Sequence, residues 1–160
     1  MDICSLLVPY GCHIHGDSIP PLQYAVYCNS PSVVAVLLSA RLKFPDTVSR
    51  ALAALENASG CAPLHTAVWF DHLECARLLI DAGADVNAWS EDMHTPLELA
   101  VMTHNTDAVQ LLLQSPNCQV DKLGSQHATA LQHAVARGSV VIMNWFFTYN
   151  YTVLSVLKII

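Results

Sequence analysis

One pattern recurs four times along the chain, and it restricts the fold more than any other feature. Each copy starts from a leucine, and successive leucines are 42, 33 and 34 residues apart. An Ala-Val pair begins three residues after each leucine, and a doublet of large apolar residues comes later in each copy. The four leucines are Leu22, Leu64, Leu97 and Leu131. Repeats of this length are typical of a solenoid, in which each unit buries its apolar face against the next.

Helix signals mark the start and the end of the units. Thr95 can cap a helix with its hydroxyl, and Pro96 suits the first turn, where a missing N–H costs nothing. A second helix is predicted from Leu73 to about Ala82, and Gly83 then supplies a left-handed stop. Each unit is therefore predicted to be a pair of short helices followed by an extended segment.

Three stretches resemble the ankyrin repeat, which has a period of 33 residues and a T-P-L-H-x-A core. They are "TPL" at 95–97, "PLHTA" at 63–67 and "DAGADVNA" at 81–88. The resemblance implies an all-α fold, an ankyrin-repeat solenoid of stacked helix-turn-helix units with short β-hairpin fingers. It implies structural roles for Pro63, Leu64, His65, Ala67, Gly83, Thr95, Pro96 and Leu97. It also implies protein–protein binding without enzymatic activity.

The alignment of the copies predicts how the chain is divided. The segments are half of a truncated repeat at 1–15, a repeat at 16–40, a helical insertion at 41–59, repeats at 60–89 and 90–122, a degenerate repeat at 123–150 and an apolar tail at 151–160. Asp46 and the apolar stripe after it predict a helix over Thr47–Glu56, either a tolerated surface insertion or a partner contact. Because both ends look unfinished, we expect a fragment or isoform of a longer protein, with further repeats or domains, or a tail covered by a partner.

Two kinds of position depart from the family pattern. The resemblance places a glycine at the corner between paired helices, where this chain has Asn29, Asp71, Asn105 and Gly138. Asn and Asp tolerate left-handed backbone geometry, so we expect the corners to be kept. Pro20 and Ala62 replace the capping threonine in two units, which should weaken each unit by about 1 kcal/mol.

Charge and cysteine content narrow the class of protein. A net charge of −6 and a pI near 5.6 argue against nucleic-acid binding, which needs a basic surface. The six cysteines are scattered through apolar patterns and form no C-x-x-C pair, as is usual for reduced thiols in the cytosol or nucleus. We therefore expect a cytoplasmic or nuclear protein, and we expect no membrane contact.

Two groups of residues could be mistaken for reactive sites. Cys61, His65, His72 and Cys75 offer four donors that zinc can use, but three of them have roles in the repeat that the resemblance implies. Asp71, His72 and Cys75 could form a base and a nucleophile, but the first two lie at a helix corner and the third in a packing face. We expect no catalytic residue, no metal and no cofactor.

The remaining candidate is a surface. In ankyrin arrays the first helices and the fingers line a concave groove, and apolar residues at the exposed ends of these helices would face it. Exposed aromatic and methionine side chains are common anchors of protein interfaces. The predicted partner-binding residues are Tyr27, Trp69, Phe70, Trp89, Met93, His94 and Met102.

The predicted function is that of a scaffold or adaptor that binds a protein partner through this groove. One alternative is a substrate-recruiting adaptor of a cullin-type ubiquitin ligase, as in ankyrin proteins with a SOCS box, although the tail is too short for the box. A second alternative is a membrane-tethered ankyrin protein that uses residues 140–160, which carry Lys158 as their one charge.

Overall fold

The computed structural model describes residues 21–43, 62–90, 92–124 and 127–157. Helices and turns account for the secondary structure in these ranges, and no strand occurs in them. The chain divides into two compact units, Met1–Asp85 and Val86–Ile160. Four helices are described in each unit, and they are paired as the repeat predicts.

Unit 1 contains helices α1 (Pro21–Tyr27), α2 (Pro31–Lys43), α3 (Pro63–Trp69) and α4 (Leu73–Asp81). Within each pair the helices contact each other, and in addition α1 packs on α3 and α2 packs on α4. The contact between pairs buries the apolar face of every helix, as stacking requires. The core side chains are Leu22, Ala25, Val26, Val33, Val34, Leu37, Leu64, Ala67, Val68, Cys75, Ala76 and Leu79.

Unit 2 contains helices α5 (Pro96–Met102), α6 (Thr106–Gln114), α7 (Ala130–Ala136) and α8 (Val140–Leu157). Here α5 packs on α7 and α6 packs on α8. The core side chains include Leu97, Leu99, Ala100, Val101, Ala108, Val109, Leu112, Leu113, Ala130, Ala134, Ile142 and Phe146. No helix in the described ranges has both the length and the apolar character needed to cross a membrane.

Capping follows the sequence prediction. Thr95 and Thr129 each form a capping box, in which the hydroxyl accepts from the backbone N–H three residues on and that residue's side chain accepts in return. Ala62 precedes α3 with the same extended backbone but without a side-chain cap. The predicted loss of a cap at Ala62 is therefore confirmed.

The corners between paired helices share one hydrogen-bonding pattern. At each corner a residue with positive φ donates its N–H to the carbonyl of the repeated valine, and the next residue donates to the carbonyl of the repeated alanine. The positive-φ residues are Asn29, Asp71, His104 and Gly138. These bonds satisfy the last carbonyls of the first helix, which explains why the corner has a fixed length.

The structure corrects the predicted corner in the third complete repeat, which contains α5 and α6. His104, with φ of 56°, takes the left-handed position that was predicted for Asn105. Asn105 has φ of −81° and instead caps α6, where its side-chain oxygen accepts from the N–H of Ala108. The prediction was wrong by one residue because it followed the left-handed preference of asparagine. The number of residues after the anchoring leucine determines the position of the corner instead.

The segments after the second helices form turns. Gly83 ends α4 with φ of 86°, as predicted. The N–H of Ser90 donates to the carbonyl of His94 at 2.9 Å, and the N–H of Gly124 donates to the carbonyl of Ala128 at the same distance. The all-α ankyrin-type solenoid is confirmed, with the fingers present as hydrogen-bonded turns in the described residues.

The predicted division of the chain stays a prediction. Helix α2 runs beyond residue 40 to Lys43, and helix α8 runs beyond residue 150 to Leu157. The half repeat at 1–15 and the helix predicted over Thr47–Glu56 lie outside the described residues.

Candidate functional site

Three aromatic side chains are exposed together where α1 and α3 end. Tyr27, Trp69 and Phe70 keep 58%, 51% and 47% of their surface exposed. The rings of Tyr27 and Phe70 meet edge to face, with centroids 5.4 Å apart and planes at 87°. We call this group the aromatic corner. Large apolar side chains this exposed are the feature that marks interaction surfaces on soluble domains.

The contacts beneath the aromatic corner hold it in place. The ring of His72 stacks on Phe70 at a centroid distance of 5.9 Å. Its Nδ1 lies 2.8 Å from the carbonyl oxygen of Val26, and because that oxygen can only accept, Nδ1 carries the proton. Earlier along the same two helices, the side-chain amide of Gln23 donates to the hydroxyl of Thr66 in the core. Helices α1 and α3 are therefore joined, and the rings of Tyr27 and Phe70 are in contact before any partner arrives.

Trp89, in unit 2, has its own intramolecular partners. Its indole N–H donates to the carbonyl of Leu123 at 3.1 Å, and the ammonium of Lys122 lies 4.0 Å from the ring centroid. The same ammonium donates to the carbonyl of Asn87, whose side chain in turn bonds the backbone of residues 117 and 119. Trp89 thus contributes to the finger's own structure, while about half of its surface stays exposed.

The other predicted residues of unit 2 differ in exposure. Met93 is exposed at a left-handed position of the finger, and Met102 is half-buried at the end of α5. His94 is half-buried, with Nδ1 3.4 Å from a carboxylate oxygen of Glu98. The structure thus places Trp89 and Met93 at the surface, and it places His94 against the interior.

Glu98 is the centre of a cluster that the sequence analysis missed. Its carboxylate is buried, accepts from the N–H of Thr95 at 3.3 Å and lies 2.8 Å from Nε2 of His133. Gly124 passes so close that a β-carbon there would overlap the carboxylate. The T-x-x-E spacing of Thr95 and Glu98 is a capping-box signal that could have identified part of this cluster. The contact with His133 depends on how neighbouring repeats stack, so the spacing along the sequence does not predict it.

The match to a known family decides what the repeats are. The family model described as ankyrin repeats (3 copies) matches residues 1–90, which is more than half of the chain. The chain belongs to the ankyrin repeat family. Ankyrin repeats are in general protein–protein interaction modules without catalytic activity.

Three relatives show how far the likeness extends. The chain is 37% identical to human ankyrin repeat domain-containing protein 13B over 56% of its length. It is 30% identical to the chicken nuclear factor NF-kappa-B p105 subunit over 78%, and 34% identical to human ankyrin repeat and SOCS box protein 16 over 49%. The matches cover 14%, 12% and 17% of these relatives' own lengths, so the ankyrin chain spans a small part of each.

Cys75, the possible nucleophile of this ankyrin chain, lies in the environment of a packed core residue. Cys75 is fully buried, and its thiol is directed at the side-chain oxygen of Asn29, 3.8 Å away. Burial, with a smaller contribution from Glu74, raises the pKa of the Cys75 thiol. A nucleophilic cysteine needs a lowered pKa and access to substrate, so this thiol has the properties of a core residue.

The histidines of the ankyrin repeat are likewise used in the fold. His65 is completely buried in α3, and His72 bonds the end of α1. Among the described side chains, no group of three or more His, Cys, Asp or Glu residues is placed to hold a metal ion. Cys61, the remaining member of the notional zinc set, lies outside the described residues.

Proposed function

We propose that this chain is a non-enzymatic scaffold or adaptor that binds a protein partner at the aromatic corner. The observation that carries the proposal is the exposure of Tyr27, Trp69 and Phe70 on helix ends that are already fixed. Interfaces gain most of their affinity from a few aromatic anchors that become fully buried, and rigid anchors lose little entropy on binding. Trp69 has the largest side chain of the three, and about half of its surface is exposed.

Unit 2 carries exposed apolar residues of its own, which we propose as a separate partner contact. Trp89 and Met93 are half-exposed on the finger, and Met102 is half-buried at the end of its helix. Methionine adapts its shape to a partner, and tryptophan supplies area. His94 stays a prediction for this set, since its ring is half-buried and lies against Glu98.

A comparison of two variants tests the proposed function. The wild-type chain, Trp69→Ala and Val36→Ala are used to capture proteins from lysate, and proteins lost with Trp69→Ala are purified and titrated calorimetrically. Val36 is a matched control because it is exposed on α2 of the same unit, a helix that carries none of the three rings. We expect Trp69→Ala to lower affinity by about 2 kcal/mol, or roughly thirtyfold, and Val36→Ala to change it little. Equal affinity for all three forms would refute the proposal.

A second function has one specific observation in its favour. The likeness to human ankyrin repeat and SOCS box protein 16 supports a role as the substrate-recruiting part of a cullin-type ubiquitin ligase. The box itself would have to be supplied by a longer chain. Co-purification of a longer natural form with elongins would support this role, and a full-length form that does not bind them would exclude it.

We also propose a cytoplasmic or nuclear location. The free thiols Cys28, Cys75 and Cys118 support it, because reducing compartments keep cysteines unpaired. Fluorescence microscopy of a tagged natural form tests it, and an extracellular or luminal signal would contradict it.

A further inference from the structure

Carboxylates border the aromatic corner. Asp71 follows Phe70 directly and is exposed, and Glu74 lies in the first turn of α4, two residues beyond the histidine that stacks on Phe70. Among the side chains described at 21–39 and 62–85, the carboxylates are Asp71, Glu74, Asp81 and Asp85, and the one guanidinium is that of Arg77. The described side chains of unit 1 therefore carry more negative than positive charge, and two of the exposed carboxylates, Asp71 and Glu74, follow the aromatic corner closely in the sequence.

Arg77, the basic side chain described in this part of unit 1, does not neutralise these carboxylates. Arg77 Nε lies 3.9 Å from Glu74, and both side chains are more than half exposed. Exposed pairs at this distance are weak and are readily exchanged for other partners. Glu74 can therefore take a cation from a partner at little cost.

Aromatic rings and carboxylates favour the same kind of ligand. The face of an aromatic ring is negative, so a lysine or arginine that covers it is attracted, and most strongly by tryptophan. A carboxylate at the edge of the ring adds a direct charge attraction. Unit 2 contains an intramolecular example of such a contact, since Lys122 covers the ring of Trp89.

We infer that the segment received by the aromatic corner is cationic and presents a lysine or arginine side chain to Trp69 or Phe70, with Asp71 and Glu74 at its edge. The inference rests on the proposed function and adds the chemistry of the partner to it. Acidic and phosphorylated segments are repelled by the same carboxylates. A neutral apolar segment would use the rings alone.

Peptide selection tests this inference and does not require the natural partner. Random short peptides displayed on phage are selected on the folded chain and depleted on Trp69→Ala. We expect the selected peptides to be enriched in lysine and arginine over the starting library. One of them is then synthesised in three forms, with the cation kept, replaced by norleucine or replaced by glutamate, and titrated calorimetrically.

Charge variants of the protein provide the second arm. Asp71→Asn/Glu74→Gln keeps the shapes of both side chains, and asparagine tolerates the left-handed backbone at position 71. We expect this variant to bind the cationic peptide about threefold to tenfold more weakly. We expect Asp81→Asn, an exposed change at the end of α4, to have less than about a twofold effect, because charge is screened with distance.

The outcomes separate the two proposals. If peptides depend on Trp69 but show no basic enrichment and bind Asp71→Asn/Glu74→Gln normally, the aromatic corner binds proteins and the cationic inference is wrong. If no selected peptide depends on Trp69, both proposals fail. Basic enrichment together with weaker binding to the double variant supports both, and circular dichroism confirms that each variant is folded.

Discussion

At the scale of single residues, the buried carboxylate of Glu98 shows how a repeat constrains its neighbour. Its oxygens are held by Thr95 and lie against His133 at 2.8 Å, so the side chain has little freedom to move. A β-carbon at Gly124 would overlap that carboxylate. We therefore expect Gly124→Ala to lower the free energy of unfolding by about 1–3 kcal/mol, as overpacking does, measured by urea denaturation.

A double-mutant cycle identifies the cause of that loss. In a Glu98→Ala background the obstacle is gone, so adding Gly124→Ala should cost much less than it does in the wild type. Equal costs in the two backgrounds would mean that the glycine is needed for some other reason.

Cys118 allows a prediction about pH. Burial raises the pKa of its thiol to about 11, from 9.0 for the unperturbed group. The unfolded chain therefore loses this proton before the folded chain does, and stability that is present below pH 9 is lost as pH rises towards 11. We expect the wild type to lose more stability than Cys118→Ser over that range in urea denaturation. If the free energy of unfolding fell by the same amount in both proteins between pH 9 and pH 11, the prediction would be contradicted.

At the scale of helices, α3 is the one among α3, α5 and α7 that begins without a side-chain cap. Ala62 has φ of −63° and ψ of 152°, close to the backbone of Thr95 and Thr129, so a threonine there could accept from the N–H of His65. We expect Ala62→Thr to raise the free energy of unfolding by about 0.5–1 kcal/mol. Ala62→Val is the matched control, because valine has the shape of threonine without the acceptor. A gain of the same size from both would show that capping is not the cause.

The helices also show what the sequence could predict and why. The spacing of apolar residues identified the helix pairs. Tyr27, Trp69 and Phe70, at or next to the end of a first helix, are exposed, and their role in partner binding stays a prediction. The corner at His104 was missed because distance from the anchoring leucine, and not residue preference, determines which residue turns left-handed. The repeated bonds to alanine and valine carbonyls make that distance decisive.

Contacts between neighbouring repeats could not be predicted from the sequence, for a different reason. The approach of His133 to Glu98 and of Lys122 to Trp89 joins residues more than thirty positions apart. Such pairs depend on how two neighbouring repeats are rotated on each other, which a one-dimensional pattern does not contain. The candidate surface was thus predicted as a set of positions, and the partners that hold or cover each ring came from the structure.

At the scale of the whole molecule, a solenoid should lose structure locally when one repeat is damaged. Its stability is approximately a sum of repeat terms and nearest-neighbour terms, because each repeat contacts only the next. Phe146 is fully buried on α8, whereas Phe147 beside it is 60% exposed. We expect Phe146→Ala to cost about 3–5 kcal/mol and Phe147→Ala to cost little, both measured by urea denaturation.

Hydrogen exchange then shows which helices Phe146→Ala destabilises. In Phe146→Ala, exchange should accelerate first in the amides of α8, which carries the missing ring, and of α6 and α7, which pack on α8. The amides of α1 and α2 should keep most of their protection, since these helices pack on α3 and α4 of unit 1. Equal acceleration in all eight described helices would mean that the chain unfolds as one cooperative body, and the stability of each repeat could then not be adjusted separately from binding at the aromatic corner.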